Sequence, residues 1–295
     1  MKNSDIHIRD PFILNENGVY YMFGTRGRDF GMRTGGFDVY VGTDLENWSE
    51  PRQVFDSEKA GMNAASNWAP EVHKYRGAYY LFATFAQENG NRGTYVLRAD
   101  RPDGEFLPVS KKALTPEDWW SLDGTLYVDK KGDPWLVFCH EHVQILNGTV
   151  CAVKLSEDLS APVGEPRLLF AGHNAYGRIP DPERRYVTDG PFLFRGKNDR
   201  LYMIWSTGMY GAYYQCLAVS DNGEIDGNWL QLPPLFTKDG GHGMIFSDAD
   251  GKLRLTLHRP NSQPNERPVF FHLEDTDECL FISDKNSKKT ENRNG

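Results

Sequence analysis

Apolar and polar positions along this chain alternate in short bursts rather than in helical turns. One burst recurs five times: GVYYMFGT from Gly18, GAYYLFAT from Gly77, GDPWLVFC from Gly132, RLYMIWST from Arg200 and GKLRLTLH from Gly251. Each joins a turn to a strand of aromatic and branched residues, and one unit takes about 58 residues, so five units use nearly the whole chain. A shorter apolar strand precedes each burst, as in RDPFILNEN and APEVHKYR. Four units carry a further alternating strand that ends in an Asp or Asn turn, as in DVYVGTDLENW.

Regularly spaced short strands without helical heptads predict an all-β fold. Radial repetition of small sheets, a five-bladed β-propeller, leaves only short protected edges. A pair of β-sandwiches is disfavoured because the recurrence runs through the middle of the chain with no linker there. The reading is one propeller domain over residues 1–283. The polar stretch from Asp284, DKNSKKTENRNG, has no apolar residue to bury and reads as a disordered tail over 284–295.

Composition narrows the partners. The 33 Lys+Arg against 41 Asp+Glu give a net charge of −8, which argues against nucleic acid and anionic membrane surfaces. No apolar run is long enough to span a bilayer. The start MKNSDIHIRD carries no apolar leader segment, so the sequence as it stands reads as cytoplasmic, and as periplasmic or secreted if a leader has been removed. Oligomeric state is not legible. Cys139, Cys151, Cys216 and Cys279 have neither zinc-site nor disulfide-scaffold spacing and read as free, mostly buried thiols. If Asn147-Gly148 forms a two-residue hairpin turn, Cys151 faces Gln144 rather than Cys139.

In a propeller the first strand of each blade lines the central channel, so residues opening those strands converge at one mouth. Here the openings are Arg9-Asp10-Pro11, Trp68-Ala69-Pro70-Glu71, Leu122-Asp123-Gly124, Asp189-Gly190-Pro191 and Gly241-His242-Gly243. Four carry a carboxylate and one a histidine. Any single Asp before Pro or Gly is an ordinary turn residue. Several carboxyls crowded into a funnel of low dielectric raise at least one pKa, the arrangement that acid/base hydrolysis needs. Trp68, Phe30, Trp119 and Trp120 offer flat apolar faces to sugar rings, with Arg259 as a polar contact. His242, between two glycines, has no neighbouring side chains to bury it.

At these residues the sequence resembles glycoside hydrolase family 43, five-bladed propellers acting on arabinose- and xylose-containing plant polysaccharides. The resemblance covers residues 6–260 through RDPFILNENGVYYMFGT, NWAPEVHKYRGAYYLFAT, SLDGTLYVDKKGDPWLVF, TDGPFLFRGKNDRLYMIWS and GGHGMIFSDADGKLRLTLH. It implies Asp10 as general base, Asp123 as the carboxylate that tunes the acid, and Asp189 as general acid. It also implies a calcium ion near His242, held partly through water, and no other cofactor. The family usually has Glu-Gly-Pro in the fourth blade where this chain has Asp189-Gly190-Pro191. The shorter side chain leaves three readings open: the backbone advances to compensate, another acid such as Glu183 donates the proton, or the site only binds sugar. The first is favoured because the other two acids and the histidine are kept. A phosphorolytic relative using Asp as donor is a further alternative, with Arg178, Arg184 and Arg185 as its phosphate site. The expected reaction is inverting, exo-acting hydrolysis of a terminal α-L-arabinofuranosyl unit, with β-D-xylosyl next.

Overall fold

The computed structural model describes residues 1–27, 35–109 and 112–283, and consists of five four-stranded antiparallel sheets. The first blade runs β1 (Ile8–Glu16), β2 (Val19–Arg26), β3 (Gly36–Gly42) and β4 (Arg52–Asp56), and the second β5 (Trp68–Tyr75), β6 (Ala78–Ala86), β7 (Arg92–Ala99) and β8 (Leu107–Pro108). The third comprises β9 (Ser121–Val128), β10 (Pro134–His140), β11 (Thr149–Leu155) and β12 (Pro162–Ala171). The fourth comprises β13 (Asp189–Arg195), β14 (Leu201–Met209), β15 (Ala212–Ser220) and β16 (Trp229–Phe236). The fifth is β17 (Gly241–Ser247), β18 (Leu253–Arg259), β19 (Arg267–Asp275) and β20 (Leu280–Ile282). Each sheet is built in chain order from its inner strand outward, and β1 lies beside both β5 and β17, so the ring closes as a five-bladed β-propeller. Residues 284–295, expected as a disordered tail, and Phe30 lie outside the described residues.

The five recurring bursts are the second strands of the blades. They are apolar on both faces because each sheet is covered on both sides by its neighbours. Phe37, Phe55 and Phe85 pack between the first two blades, and Phe170 meets Trp205 between the third and fourth. The outer edges are blunted: β8 has two residues, β20 has three, and β16 carries Pro233-Pro234, which cannot donate to another strand.

Among the described residues no strand is exchanged between the chain ends. The seam between the fifth and first blades is closed by side chains instead. Arg9 Nη1 donates to Glu266 Oε1 at 2.7 Å, Arg9 Nη2 donates to Asn261 Oδ1 at 2.8 Å, and Gln263 Nε2 donates to the Gly27 carbonyl at 3.2 Å.

The expected Asn147-Gly148 hairpin is not formed. β10 ends at His140, a short helical turn spans His142–Ile145, and Cys151 sits opposite Phe138 while Cys139 sits opposite Val150. Glu141 accepts backbone bonds that start the turn, which lengthens the connection beyond two residues. All four cysteines are free; Cys139, Cys151 and Cys216 are buried and Cys279 is exposed.

Candidate active site

The inner strands share a device the alternation pattern does not reveal. Each breaks register with its partner near its start, between Arg9 and Phe12, Trp68 and Glu71, Asp189 and Phe192, and Gly241 and Met244, and in the third blade opposite Val137–Cys139. At each break one residue adopts a left-handed backbone: Asp10 (φ 54), Ala69 (φ 48), Asp123 (φ 58), Gly190 (φ 50) and His242 (φ 50). Such a bulge re-aims the side chains around it. Glycine is required at 190, because a Cβ there would come within 2.5 Å of the His242 ring.

This register amends the sequence alignment of the acids. Asp10, Asp123 and His242 are equivalent bulge residues, but Asp189 stands one position earlier, equivalent to Arg9, Trp68, Leu122 and Gly241. Glu71 lies two residues past its bulge residue and pairs with His73 Nε2 at 3.0 Å rather than joining the other acids. Asp10 and Asp123 are buried, and Asp189 is partly exposed.

The site is assembled around His242. Its Nδ1 lies 3.1 Å from Asp10 Oδ1 and 3.8 Å from Asp123 Oδ2. Burial pushes the imidazole down to about 4, so the neutral ring donates its Nδ1–H toward Asp10. Asp10 Oδ2 also accepts the Thr25 hydroxyl at 2.6 Å. Burial alone would raise Asp10, but His242, His258 and the Arg9 guanidinium outweigh it and hold the carboxyl well below the usual carboxylate range.

The opposite bias holds across the channel. Burial and the charges of Asp189 and Asp10 raise Asp123 well above the carboxylate range, although Gly190 N–H donates to its Oδ2 at 3.1 Å. Burial lifts Asp189 to about 7 against the stabilising bond from Tyr213 Oη, which donates to Asp189 Oδ2 at 2.9 Å. One mouth thus holds an ionised carboxylate and a carboxyl poised to keep its proton near neutrality, the pairing that proton-transfer hydrolysis uses.

The aromatic candidates divide by their contacts. Trp68 and Trp120 flank the Arg92 guanidinium at 5.2 and 4.6 Å from their ring centroids, and Arg92 pairs with buried Glu141 at 2.5 Å, whose charge reaches Asp123 and Asp189. Trp119 packs against the core between the second and third blades, beside Phe138, and stacks on the His140 ring with centroids 4.1 Å apart. Arg259 is exposed and turns to the Lys238 carbonyl and the Phe236 ring. Glu183 is exposed and pairs with Arg185 at 3.3 Å. Arg178 is drawn to the Gly208 carbonyl and the Thr207 hydroxyl, at 2.8 and 2.6 Å.

Sequence reasoning missed Arg9, Tyr213 and His258. His258 was legible in principle: the recurring burst ends in Thr25 and Thr84 in the first two blades and in histidine in the fifth. Tyr213 comes from β15, stacks on His258 at 5.6 Å, and has no signal in the recurrence.

A calcium ion takes six to eight oxygen ligands, so one held near His242 would draw most of them from water. His242 turns Nδ1 to the two aspartates as a hydrogen-bonding ring, and among the described residues no group of three His, Cys, Asp or Glu side chains is placed to hold a metal.

A propeller whose channel mouth sets a lowered carboxyl against a raised one is suited to acid/base chemistry. The family model "Glycosyl hydrolases family 43" matches residues 5–272, and the chain belongs to that family. The endo-arabinase structure from Bacteroides thetaiotaomicron VPI-5482 superposes with a TM-score of 0.84 at 37% identity, covering 94% of this chain and 98% of that one. An extracellular endo-α-(1→5)-L-arabinanase 1 of Bacillus subtilis (strain 168) is 22% identical over 61% of this chain, and an extracellular exo-α-(1→5)-L-arabinofuranosidase of Streptomyces chartreusis is 24% identical over 70%. The matches span 56% and 66% of those two relatives.

Proposed function

We propose that the protein hydrolyses α-L-arabinofuranosyl linkages of arabinan-type plant polysaccharide or its oligosaccharides, with inversion at the anomeric carbon. The observation that carries this reading is the opposed protonation of Asp10 and Asp189 in one channel mouth. Asp10, ionised and oriented by Thr25, His242 and His258, takes a proton from the water that attacks the anomeric carbon. Asp189, beside Asp123, gives its proton to the departing glycosidic oxygen, and burial with the charges of Asp10 and Glu141 keeps that proton on until then. The arabinan-directed relatives support the choice of sugar over β-D-xylosyl. Inversion fits a water standing between base and sugar, for which carboxyl separations of about 6.5–9.5 Å are usual.

The test is hydrolysis of linear α-1,5-arabinan, p-nitrophenyl α-L-arabinofuranoside and p-nitrophenyl β-D-xylopyranoside by wild type, Asp10→Asn and Asp189→Glu, with the anomer of the first product read by proton NMR. Arabinose-specific turnover with inverted product, lost in Asp10→Asn, supports the proposal. Xylose-only turnover or a retained anomer overturns it. Activity confined to Asp189→Glu marks the natural protein as a sugar binder whose acid is too short.

A further inference from the structure

The left-handed residue of each inner strand points its N–H toward the preceding blade, and a side chain from that blade's second strand meets it. Thr25 Oγ1 accepts from Ala69 at 2.7 Å, Thr84 Oγ1 from Asp123 at 2.9 Å, Ser206 Oγ from His242 at 2.7 Å, and His258 Nδ1 from Asp10 at 3.1 Å. These acceptors occupy one position in the fold, opposite the residue before the bulge: Thr25 faces Arg9, Thr84 faces Trp68, Ser206 faces Asp189 and His258 faces Gly241. In the third blade the same position, opposite Leu122, is Cys139. There the pattern breaks, and Gly190 N–H donates instead to Asp123 Oδ2.

A thiol is a weak acceptor, whereas a hydroxyl or an imidazole is a good one. We propose that Cys139 is a positioning residue: by declining the Gly190 N–H it leaves that donor to Asp123, tethering the Asp123 carboxyl to the strand that carries Asp189. The thiol is completely buried, beside the Thr188 hydroxyl, and burial pushes it well above its ordinary range, so it stays a neutral, weakly polar group. A hydroxyl here would complete the ring of five caps and take the N–H away. Asp123, already raised well above the carboxylate range, would lose the bond that fixes its carboxyl against the fourth blade, and Asp189 would lose a positioned neighbour.

Threonine and valine at this position have the same shape and differ only in the hydroxyl, so the pair separates acceptor strength from packing. In Cys139→Val the Gly190 amide proton shift, followed by NMR on labelled full-length protein, keeps the pH response it has in wild type. In Cys139→Thr that response is lost. This readout does not depend on turnover. Where arabinan hydrolysis is measured, which rests on the reading of the site as a glycosidase, Cys139→Thr lowers kcat about 10-fold more than Cys139→Val, with KM little changed. Matching amide titrations in the two variants overturn the proposal, as do matching kcat values. If either variant fails to fold, Cys139→Ser and Cys139→Ala make the same comparison with smaller side chains.

Discussion

The seam between the fifth and first blades and the seam between the third and fourth deliver carboxylates to the same channel mouth under opposite conditions. At the first, Asp10 is surrounded by donors and a cation, namely Thr25, His242 and the Arg9 guanidinium, which is itself anchored on Glu266, while His258 Nδ1 accepts its backbone N–H. At the second, Asp123 and Asp189 face each other with Glu141 nearby, and Arg92 is already paired with Glu141. A repeated fold thus biases one residue type in opposite directions, Asp10 down and Asp189 up. Each inner strand carries a left-handed bulge residue, and what differs is that Asp189 stands one position before its bulge and which charges surround each acid.

The largest break in this comparison is removal of the ionised carboxylate. Asp10→Asn lowers kcat by about 10³-fold with little change in KM, because proton removal from water is needed only in the transition state. Steady-state kinetics on arabinan checks this. A kcat within a few fold of wild type would move the base elsewhere.

Asp189→Asn lowers kcat by about 10²-fold or more and erases the basic limb, which wild type shows near the value of about 7 at which Asp189 loses its proton. The same variant tests linkage. The folded-state value lies above the unfolded carboxylate value of about 4, so the native protein binds the extra proton between them, and the contribution of Asp189 to stability falls as pH rises through that window. The Tm of Asp189→Asn relative to wild type therefore climbs from pH 4 to 7 and levels off above it. A difference flat with pH would contradict the raised acid. Asp10 has the opposite sign: its contribution is present above the unfolded carboxylate value and is lost as pH falls toward its low folded value.

At the seam of Asp10, Glu266→Ala leaves Arg9 short of its buried partner and costs about 3 kcal/mol in denaturant unfolding. A loss below about 1 kcal/mol would show that the other bonds across this seam suffice. The smallest effect is expected from Tyr213→Phe. It removes a hydroxyl that stabilises the charged form of Asp189, so the basic limb moves to higher pH, and kcat at its optimum changes only a few fold. A downward shift would reverse the donor assignment.

The five bursts, the three aspartates and His242 were legible because a propeller repeats one strand period and one turn chemistry, and local alternation records both. The register of Asp189 was not. Asp189-Gly190-Pro191 reads like Arg9-Asp10-Pro11 shifted by one, and only the left-handed residue at Gly190 shows that the fourth acid leaves its strand from the position before the bulge. Trp119 and Trp120 are adjacent in sequence yet part company, one stacked on His140 and one over Arg92, because consecutive residues project to different sides.

What the sequence by itself determined is therefore the fold, the five openings and the kinds of group that meet at the channel, since these follow from periodic patterns within each unit. Which carboxyl holds a proton was decided only by the tertiary structure. His258 reaches Asp10 from the fifth blade, 248 residues away along the chain, and Tyr213 reaches Asp189 from two strands across the fourth blade, and a charge responds to distance and burial rather than to position in sequence.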